Sequence, residues 1–504
     1  CSGLVGSEMC IRDRGCNVIV TGLKRLLTPA TDMQLIGWLF LRLLALIYFA
    51  AFASLAGQIA GLAGPQGILP LEAYMTEVAA NLGRPQQWLW LPSLFWFTGA
   101  SDGMLQGVAY LGALLSLLLL FGRWERPLLI TLFVFYLSLY HAGQVFTNFQ
   151  WDTLLLESGF LAIFLSGGAN RLLLLLFEWL LFRLRFMSGF FKLYSGDPSW
   201  SGLTALNHYF ETQPLPHMGA WYAQQLPEWL LKSGTALTLF SELVVPFFIF
   251  LPRPYRLAAA AITLLMQLLI IATSNHNFIN LLTIALCLFL LDDRLLARLL
   301  PPFLRQRVVS ESKGISGMKA GLIGLSALLI LPSSLIGFSN RLLQNPLPDP
   351  LLSIYQNVRR FGIGNIYHVY PTMQTQRQEL IIQGSRDGQH WATYSWRYKP
   401  GDPARRPPFN LPHQPRLDWM IWFVPTQHPV QMAWFGEFMR RLHEGSAQVD
   451  TLLEHNPYPD RPPAYLRVLV YDYRFSDLEM REETGRWWQS SYLGQFPQTA
   501  PRVP

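Results

Sequence analysis

A helical polytopic membrane part of about nine spans, followed by a β-rich, sandwich-like soluble domain with a helical insertion, is the fold this sequence predicts. Three observations lead there. Only 14% of the 504 residues are charged and 51% are hydrophobic, whereas a soluble globular protein carries about 25% charged residues. The deficit is uneven: apolar runs dominate between about 35 and 291, while Arg, Trp and Pro are frequent from Ser339 onward. The basic residues also fall in alternate short loops, as the positive-inside rule requires of a multi-pass protein. The division is then a leader over 1–34, a transmembrane domain over 35–338 and a non-cytoplasmic soluble domain over 339–504.

Taken in order, residues 1–15 are polar and contain no apolar h-region, so they do not read as a signal peptide. They read as a sequencing or gene-model artefact and receive no functional weight. Apolar segments follow at about 36–63, 104–121, 128–147, 154–166, 172–190, 230–251, 257–273, 279–291 and 320–338. Several fall short of the roughly 20 residues a full span prefers. The 154–166 and 279–291 segments are therefore expected to tilt, to extend into polar turns or to be partly re-entrant. With a cytoplasmic N-terminus, the inside loops hold Lys24 and Arg25, Arg123 and Arg126, Arg171, Arg253 and Arg256, and the basic cluster from Arg294 to Lys319; the outside loops hold little beyond Arg84 and Lys192. The soluble domain then lies in a lumen or periplasm: the endoplasmic reticulum in a eukaryote, the far side of the inner membrane in a bacterium.

In the C-terminal part, 379–384 and 391–398 are runs of β-branched and aromatic residues flanking the turn Arg386-Asp387-Gly388. The segments 418–424 and 465–473 read as further strands. Between them, from Pro429 to about Glu454, Phe435, Phe438, Met439 and Leu442 recur at helical spacing. The Pro-rich stretch 400–415 is irregular loop.

Ionisable groups beside apolar segments cost several kcal/mol unless partnered or used, so they are the first candidates for function. Asp152 and Glu157 are five residues apart, about 140° around a helix, and do not make a paired-carboxylate site by themselves. His141, Gln144 and Asn148 recur at near-helical spacing and are placed to face Asp152 across a short turn, where a His–carboxylate contact makes a proton relay. Arg183 and Arg185 are expected to snorkel or to pair with the carboxylates. His276 lies in a polar cluster, 274–280, that opens an apolar segment and suits helix capping. For each of these, structural pairing competes with catalysis. His208 and Glu211 fit one helix face, but their order is the reverse of the Glu-x-x-His of di-metal bundles and occurs once.

In the soluble part, Arg405, Arg406, Phe409, His413, Arg416, Asp418 and Trp419 stand out as a face for a protein partner, with Arg416 and Asp418 placed to pair. The four cysteines are Cys1, Cys10, Cys16 and Cys287; the soluble part has none, which excludes a disulfide framework or thiolate zinc site there. Cys287 reads as a small buried hydrophobe. No nucleophile elbow, P-loop, H-E-x-x-H or dinucleotide fingerprint is present. No cofactor and no metal site are expected. The net charge of +7 is a topology signal rather than a nucleic-acid surface.

Ordered stretches along about 35–497 resemble the lipase maturation factor family. They include Gln150-Trp-Asp-Thr-Leu-Leu-Leu-Glu157, Ser195-Gly-Asp-Pro-Ser-Trp200, His208-Tyr-Phe-Glu-Thr-Gln-Pro-Leu-Pro216, Asn280-Leu-Leu-Thr283 with Leu290-Leu-Asp-Asp293, Asn357-Val-Arg-Arg-Phe-Gly362, Pro412-His-Gln-Pro-Arg-Leu-Asp-Trp419 and Gly485-Arg-Trp-Trp488. The chain departs at His276, where the family pattern has Tyr between the two Asn. The resemblance implies a multi-pass protein with a lumenal C-terminal domain implicated in client binding. Animal members reside in the endoplasmic reticulum and help secreted lipases fold and assemble. Two readings stand: a membrane-anchored maturation factor for secreted clients, and an integral-membrane enzyme acting on lipid or protein at His141, Asp152, Glu157 and His276. A transporter is the weaker third, since no internal repeat is visible.

Overall fold

The computed structural model describes residues 26–303, 315–343 and 347–497. The 1–15 leader, Cys1, Cys10 and Cys16 lie outside them. The membrane part is all-helical: α1 Gln34–Ala56, α2 Asp102–Leu119, α3 Glu125–Ala142, α4 Gln150–Leu165, α5 Arg171–Tyr194, α6 Glu228–Leu243, α7 Arg253–Thr273, α8 Ile279–Leu286 and α9 Gly317–Leu342. Among the described residues, five apolar stretches are long enough to cross a bilayer: α1, α2, α6 with its continuation to Phe250, α7 and α9. At 1.5 Å per residue their 18–26 residues cover about 27–39 Å, against a hydrocarbon core of about 30 Å. The chain is an integral membrane protein. Of the remainder, α4 is 16 residues long and α8 with its continuation is a shorter apolar helix, Ile279–Leu290. The α5 helix is long enough but carries Glu178, Arg183, Arg185 and Lys192.

Local chemistry sets the helix ends. Ser101, Asn170, Asp292 and Ser316 each accept a hydrogen bond from the backbone N–H three residues on, satisfying one of the four N–H groups a helix start leaves unpaired. Pro246, which has no N–H to donate, stands where α6 gives way to the 3-10 turn Val245–Phe250. The start of α1 is capped from the far end of the domain: the Asp293 carboxylate accepts the N–H groups of Gln34, Leu35 and Ile36 at 2.7, 3.1 and 3.0 Å, where a helix terminus favours negative charge. At this same end Arg42 pairs with Glu125 at 2.6 Å, Arg253 pairs with Asp292, and Lys319 donates to the carbonyls of Ser166 and Gly168 at 2.9 and 2.5 Å.

After α10, Asp349–Arg360, the C-terminal half forms a small antiparallel sheet with helices. Its elements are β1 Arg377–Ser385, β2 Ala392–Thr393, α11 Arg416–Ile421, α12 Pro429–Glu444, β3 Tyr465–Phe475 and β4 Trp488–Gln495. The strand order is β2-β1-β3-β4, with Leu380 opposite Val470 and Ile382 opposite Val468. The expected turn is present: Asp387 Oδ1 accepts from the N–H groups of Gln389 and His390, both at 2.8 Å, with Gly388 at φ 77°.

Three readings of this half are corrected. The expected sandwich is one sheet among the described residues, and its second layer is helical: Phe435, Phe438 and Leu442 of α12 share a core with Leu380, Ile382, Val468 and Val470. The expected strand at 418–424 is instead α11. Every residue of Arg416–Ile421 is buried, with no alternation, and a helical turn satisfies its own backbone groups where no strand is alongside. The helix expected from Pro429 ends at Glu444, where Gly445 takes φ 72°.

Candidate functional site

The polar residues of the membrane part gather where it meets the C-terminal half. On α4, Asp152 and Glu157 point to different partners, as their spacing requires. The Asp152 carboxylate is met by both terminal nitrogens of Arg416, Nη1 to Oδ2 at 2.6 Å and Nη2 to Oδ1 at 2.7 Å, and accepts the Tyr136 hydroxyl at 2.6 Å. Arg416 Nη1 also donates to the Phe146 carbonyl at 3.2 Å. Both charges are buried, at 1% or less. A bidentate guanidinium–carboxylate pair is among the strong, orienting contacts available there.

Glu157 pairs with Arg183 of α5, and both side chains are fully buried. Arg183 continues to the Asn365 carbonyl at 2.8 Å, while Glu157 Oε2 accepts the Tyr367 hydroxyl at 3.1 Å. The pair therefore ties two membrane helices to the segment 363–373. That segment is held at four further points: Gln150 exchanges two hydrogen bonds with the backbone of His368, Lys192 donates to Val369 O at 2.7 Å, Ser195 donates to Pro371 O at 2.8 Å, and Asp197 accepts the N–H of Met373 at 2.7 Å.

His141 and His276 do not join the carboxylates. His141 Nε2 donates to the Arg360 carbonyl at 2.8 Å. His276 Nε2 bonds the Tyr209 hydroxyl at 2.5 Å. Gln144 donates to Leu69 O, and Asn148 accepts the Tyr140 hydroxyl at 2.9 Å. The expected facing of this trio onto Asp152 is replaced by these separate contacts, because the 3-10 turn Gln144–Phe146 carries the chain away before α4 begins. Glu211 accepts the N–H of Phe475 at 2.6 Å. Among the described residues no three His, Cys, Asp or Glu side chains cluster so as to hold a metal ion.

Of the partner-face candidates, Arg406 and Phe409 are exposed, and Phe409 sits edge-on to His217 at 5.2 Å. Arg405 is half-buried and salt-bridged to Glu454 at 2.5 Å. His413, Arg416, Asp418 and Trp419 face the seam instead. His413 Nδ1 bonds Ser54 Oγ at 2.9 Å. Asp418 does not pair with Arg416; its Oδ2 accepts the N–H of Tyr398 at 2.6 Å. Trp419 packs edge-to-face on Trp151 at 5.0 Å and contacts His276 at 6.0 Å. Burial pushes the Asp418 carboxyl up to about 6, against the pull of the Tyr398 N–H. Burial, with the Arg416 charge close by, pushes the His413 imidazole down to about 4.

Several residues of the seam carry no motif and were not singled out. Ser54 and Gln58, one helical turn apart at the end of the first apolar segment, hold Gln414 and the N–H of Arg416. Arg377 of β1 pairs with Glu379 and donates to the carbonyls of Glu211, Gln213 and Pro214. Lys399 shares Glu379 at 2.7 Å. The signal for them in the sequence is a polar pair, Ser54 and Gln58, within an otherwise apolar segment. As a whole the arrangement is a set of charge pairs and backbone contacts that fix one half against the other.

The same two halves are recognised in known proteins. Residues 35–298 match the family described as lipase maturation factor transmembrane domain, and residues 363–498 the lipase maturation factor C-terminal domain. The chain is 33% identical to lipase maturation factor 2 of Xenopus laevis, over 89% of this chain and 80% of that one. It is 32% identical to the human lipase maturation factor 2, over 91% and 81%, and 32% identical to lipase maturation factor 1 of Bos taurus, over 90% and 87%. No solved structure matches it. With both family domains matched in order and identity above 30% along nearly the whole length, the chain belongs to the lipase maturation factor family.

Proposed function

We propose that this protein is a membrane-anchored maturation factor that assists secreted client proteins, lipases among them, to fold or assemble. The observation that carries this reading is family membership across both halves, with relatives named for lipase maturation. The geometry supports it: Asp152, Glu157, His141 and His276 each bind a different structural partner, so the enzymatic alternative lacks a convergent site.

The same reading takes nine helical traversals, counting the short or charged α3, α4, α5 and α8, with a cytoplasmic N-terminus. The C-terminal half then lies in the lumen of the endoplasmic reticulum or in the periplasm. Support comes from the helix ends: contacts of the C-terminal half fall at the end of α1, the start of α4, the end of α5 and just after α7, which are the same side in a nine-pass weave. Clients meet the exposed face around Arg406 and Phe409, an aromatic–arginine combination suited to protein recognition.

The test is complementation. The chain is expressed in cells lacking their own lipase maturation factors, and secreted lipase activity is measured against lipase protein. Restored specific activity is expected, reduced by Arg406→Ala with Phe409→Ala at unchanged expression. A well-accumulated chain that restores no activity for any tested lipase or other secreted client contradicts the proposal.

A further inference from the structure

A cavity of about 250 Å³ lies between α5, α6 and α7 and opens sideways toward the lipid-facing surface. Leu226, Leu230, Leu237 and Leu269 line it and are exposed, so its mouth is apolar. Its inner end is built differently. Lys192 and Arg185 share the single carboxylate of Glu242, at 2.8 and 3.5 Å, and all three are buried. Two cations against one anion leave an excess positive charge in a low-dielectric site.

Four polar atoms of the lining residues make no hydrogen bond among the described residues: Arg185 Nε, Trp200 Nε1, Asn280 Nδ2 and the Tyr370 hydroxyl. Arg185, Trp200 and Asn280 are 6%, 2% and 3% exposed. The first three atoms are donors, and the hydroxyl can donate as well. A buried donor without an acceptor costs roughly 1–3 kcal/mol. Four such polar groups around one cavity, together with two cations on one carboxylate, call for an acceptor that bears negative charge.

An anionic acceptor at the inner end and an apolar route into the bilayer describe a single-chain lipid with a carboxylate head. The volume agrees: it exceeds the ~150 Å³ that accommodates benzene, which suits a head group and the first carbons of one chain, with the remainder lying along the leucine mouth. We infer that this cavity binds a long-chain fatty acid, carboxylate inward against Arg185, Trp200 and Asn280, and chain outward between α6 and α7. This site is separate from the face assigned to clients.

The full chain, purified in detergent and reconstituted in phosphatidylcholine nanodiscs, is photolabelled with a diazirine-bearing palmitic acid and the adducts are mapped by peptide mass spectrometry. Adducts are expected on 228–243 and 253–273. Palmitate should compete, and methyl palmitate, which keeps the chain but loses the charge, should compete about tenfold more weakly, a difference of about 1.4 kcal/mol. Leu230→Trp, a substitution at the exposed mouth, should lower labelling about fivefold or more by filling space the chain needs, with an unchanged melting temperature. Asn280→Leu should lower it by removing one donor. Adducts spread evenly over the lipid-facing helices, or undiminished labelling in Leu230→Trp, would overturn the site. Equal competition by the methyl ester, or stronger competition by a diacylglycerol, would overturn the carboxylate assignment in favour of an ester carbonyl.

Discussion

Arg416 and Asp152 stand 264 positions apart in the chain, yet meet through two parallel hydrogen bonds of 2.6 and 2.7 Å in a fully buried pair. One charge belongs to the start of a membrane helix, the other to the first residue of α11 in the C-terminal half. Neither is tolerable alone in that environment. Removing one partner of a buried pair leaves the other uncompensated and costs about 3–5 kcal/mol, whereas replacing both by apolar groups of similar volume is often close to neutral. This asymmetry distinguishes a structural clamp from a catalytic carboxylate.

The second pair on the same helix behaves alike but holds a different segment. Glu157→Gln strands the Arg183 charge and leaves one acceptor oxygen for the two donors, Arg183 and the Tyr367 hydroxyl, that the carboxylate serves. A loss of about 3–5 kcal/mol is expected, with faster amide exchange concentrated over 363–373 rather than across α4. Hydrogen-exchange mass spectrometry of the variant reads this directly, and unchanged protection over 363–373 would contradict the assignment.

Asp418 and His413 titrate in one window with opposite sign. The Asp418 carboxyl is raised to about 6 in the folded chain, against about 3.9 when free; its contribution is present at low pH and lost as pH rises through about 6. The His413 imidazole is lowered to about 4, against about 6.5 when free; its contribution is present above about 6.5 and lost as pH falls toward 4. Between about pH 4 and 6.5 the two offset each other. Asp418→Asn is therefore expected to give a melting temperature that rises with pH across this window. His413→Gln should give one that falls. Parallel profiles for both variants and the parent would refute the pairing of signs.

Gly112 of α2 lies against the ring of Phe52 in α1: a Cβ there would stand 2.5 Å from Phe52 Cδ1. Small residues let membrane helices approach closely. Gly112→Ala is expected to cost about 1–3 kcal/mol through overpacking, and Phe52→Leu should recover part of that loss in the double variant. Thermal unfolding of the three purified variants is the measurement.

The helical membrane part was legible because apolar runs and loop charges act locally and need no partner to be read. Its charged helix is harder: Arg183, Arg185 and Lys192 lower the apolar signal of α5 in sequence, and only the fold reveals Glu157, Glu242 and backbone carbonyls as their partners. The turn at Asp387 and the helix at Pro429 were legible for the same local reason. The segment 416–424 was not, because Trp, Met, Ile and Val favour a strand only where another strand lies alongside, and here the neighbour is a membrane helix. Arg416 stands out in the sequence, but it offers Asp418, two residues away, as the partner, since a sequence displays near neighbours and hides one 264 positions distant. Glu157 with Arg183 was within reach, because the apolar surroundings of both leave few alternatives.

One set of three variants tests whether the seam is a clamp rather than a reactive site. Asp152→Asn, Arg416→Met and the double variant are compared for accumulation, for stability in detergent and for the ability to raise secreted lipase activity. Each single variant is expected to accumulate poorly, while the double variant recovers much of the stability and of the client activity, because no charge is left unpaired. A double variant that accumulates and unfolds like the parent but supports no client activity would contradict the account and return Asp152 to a chemical role.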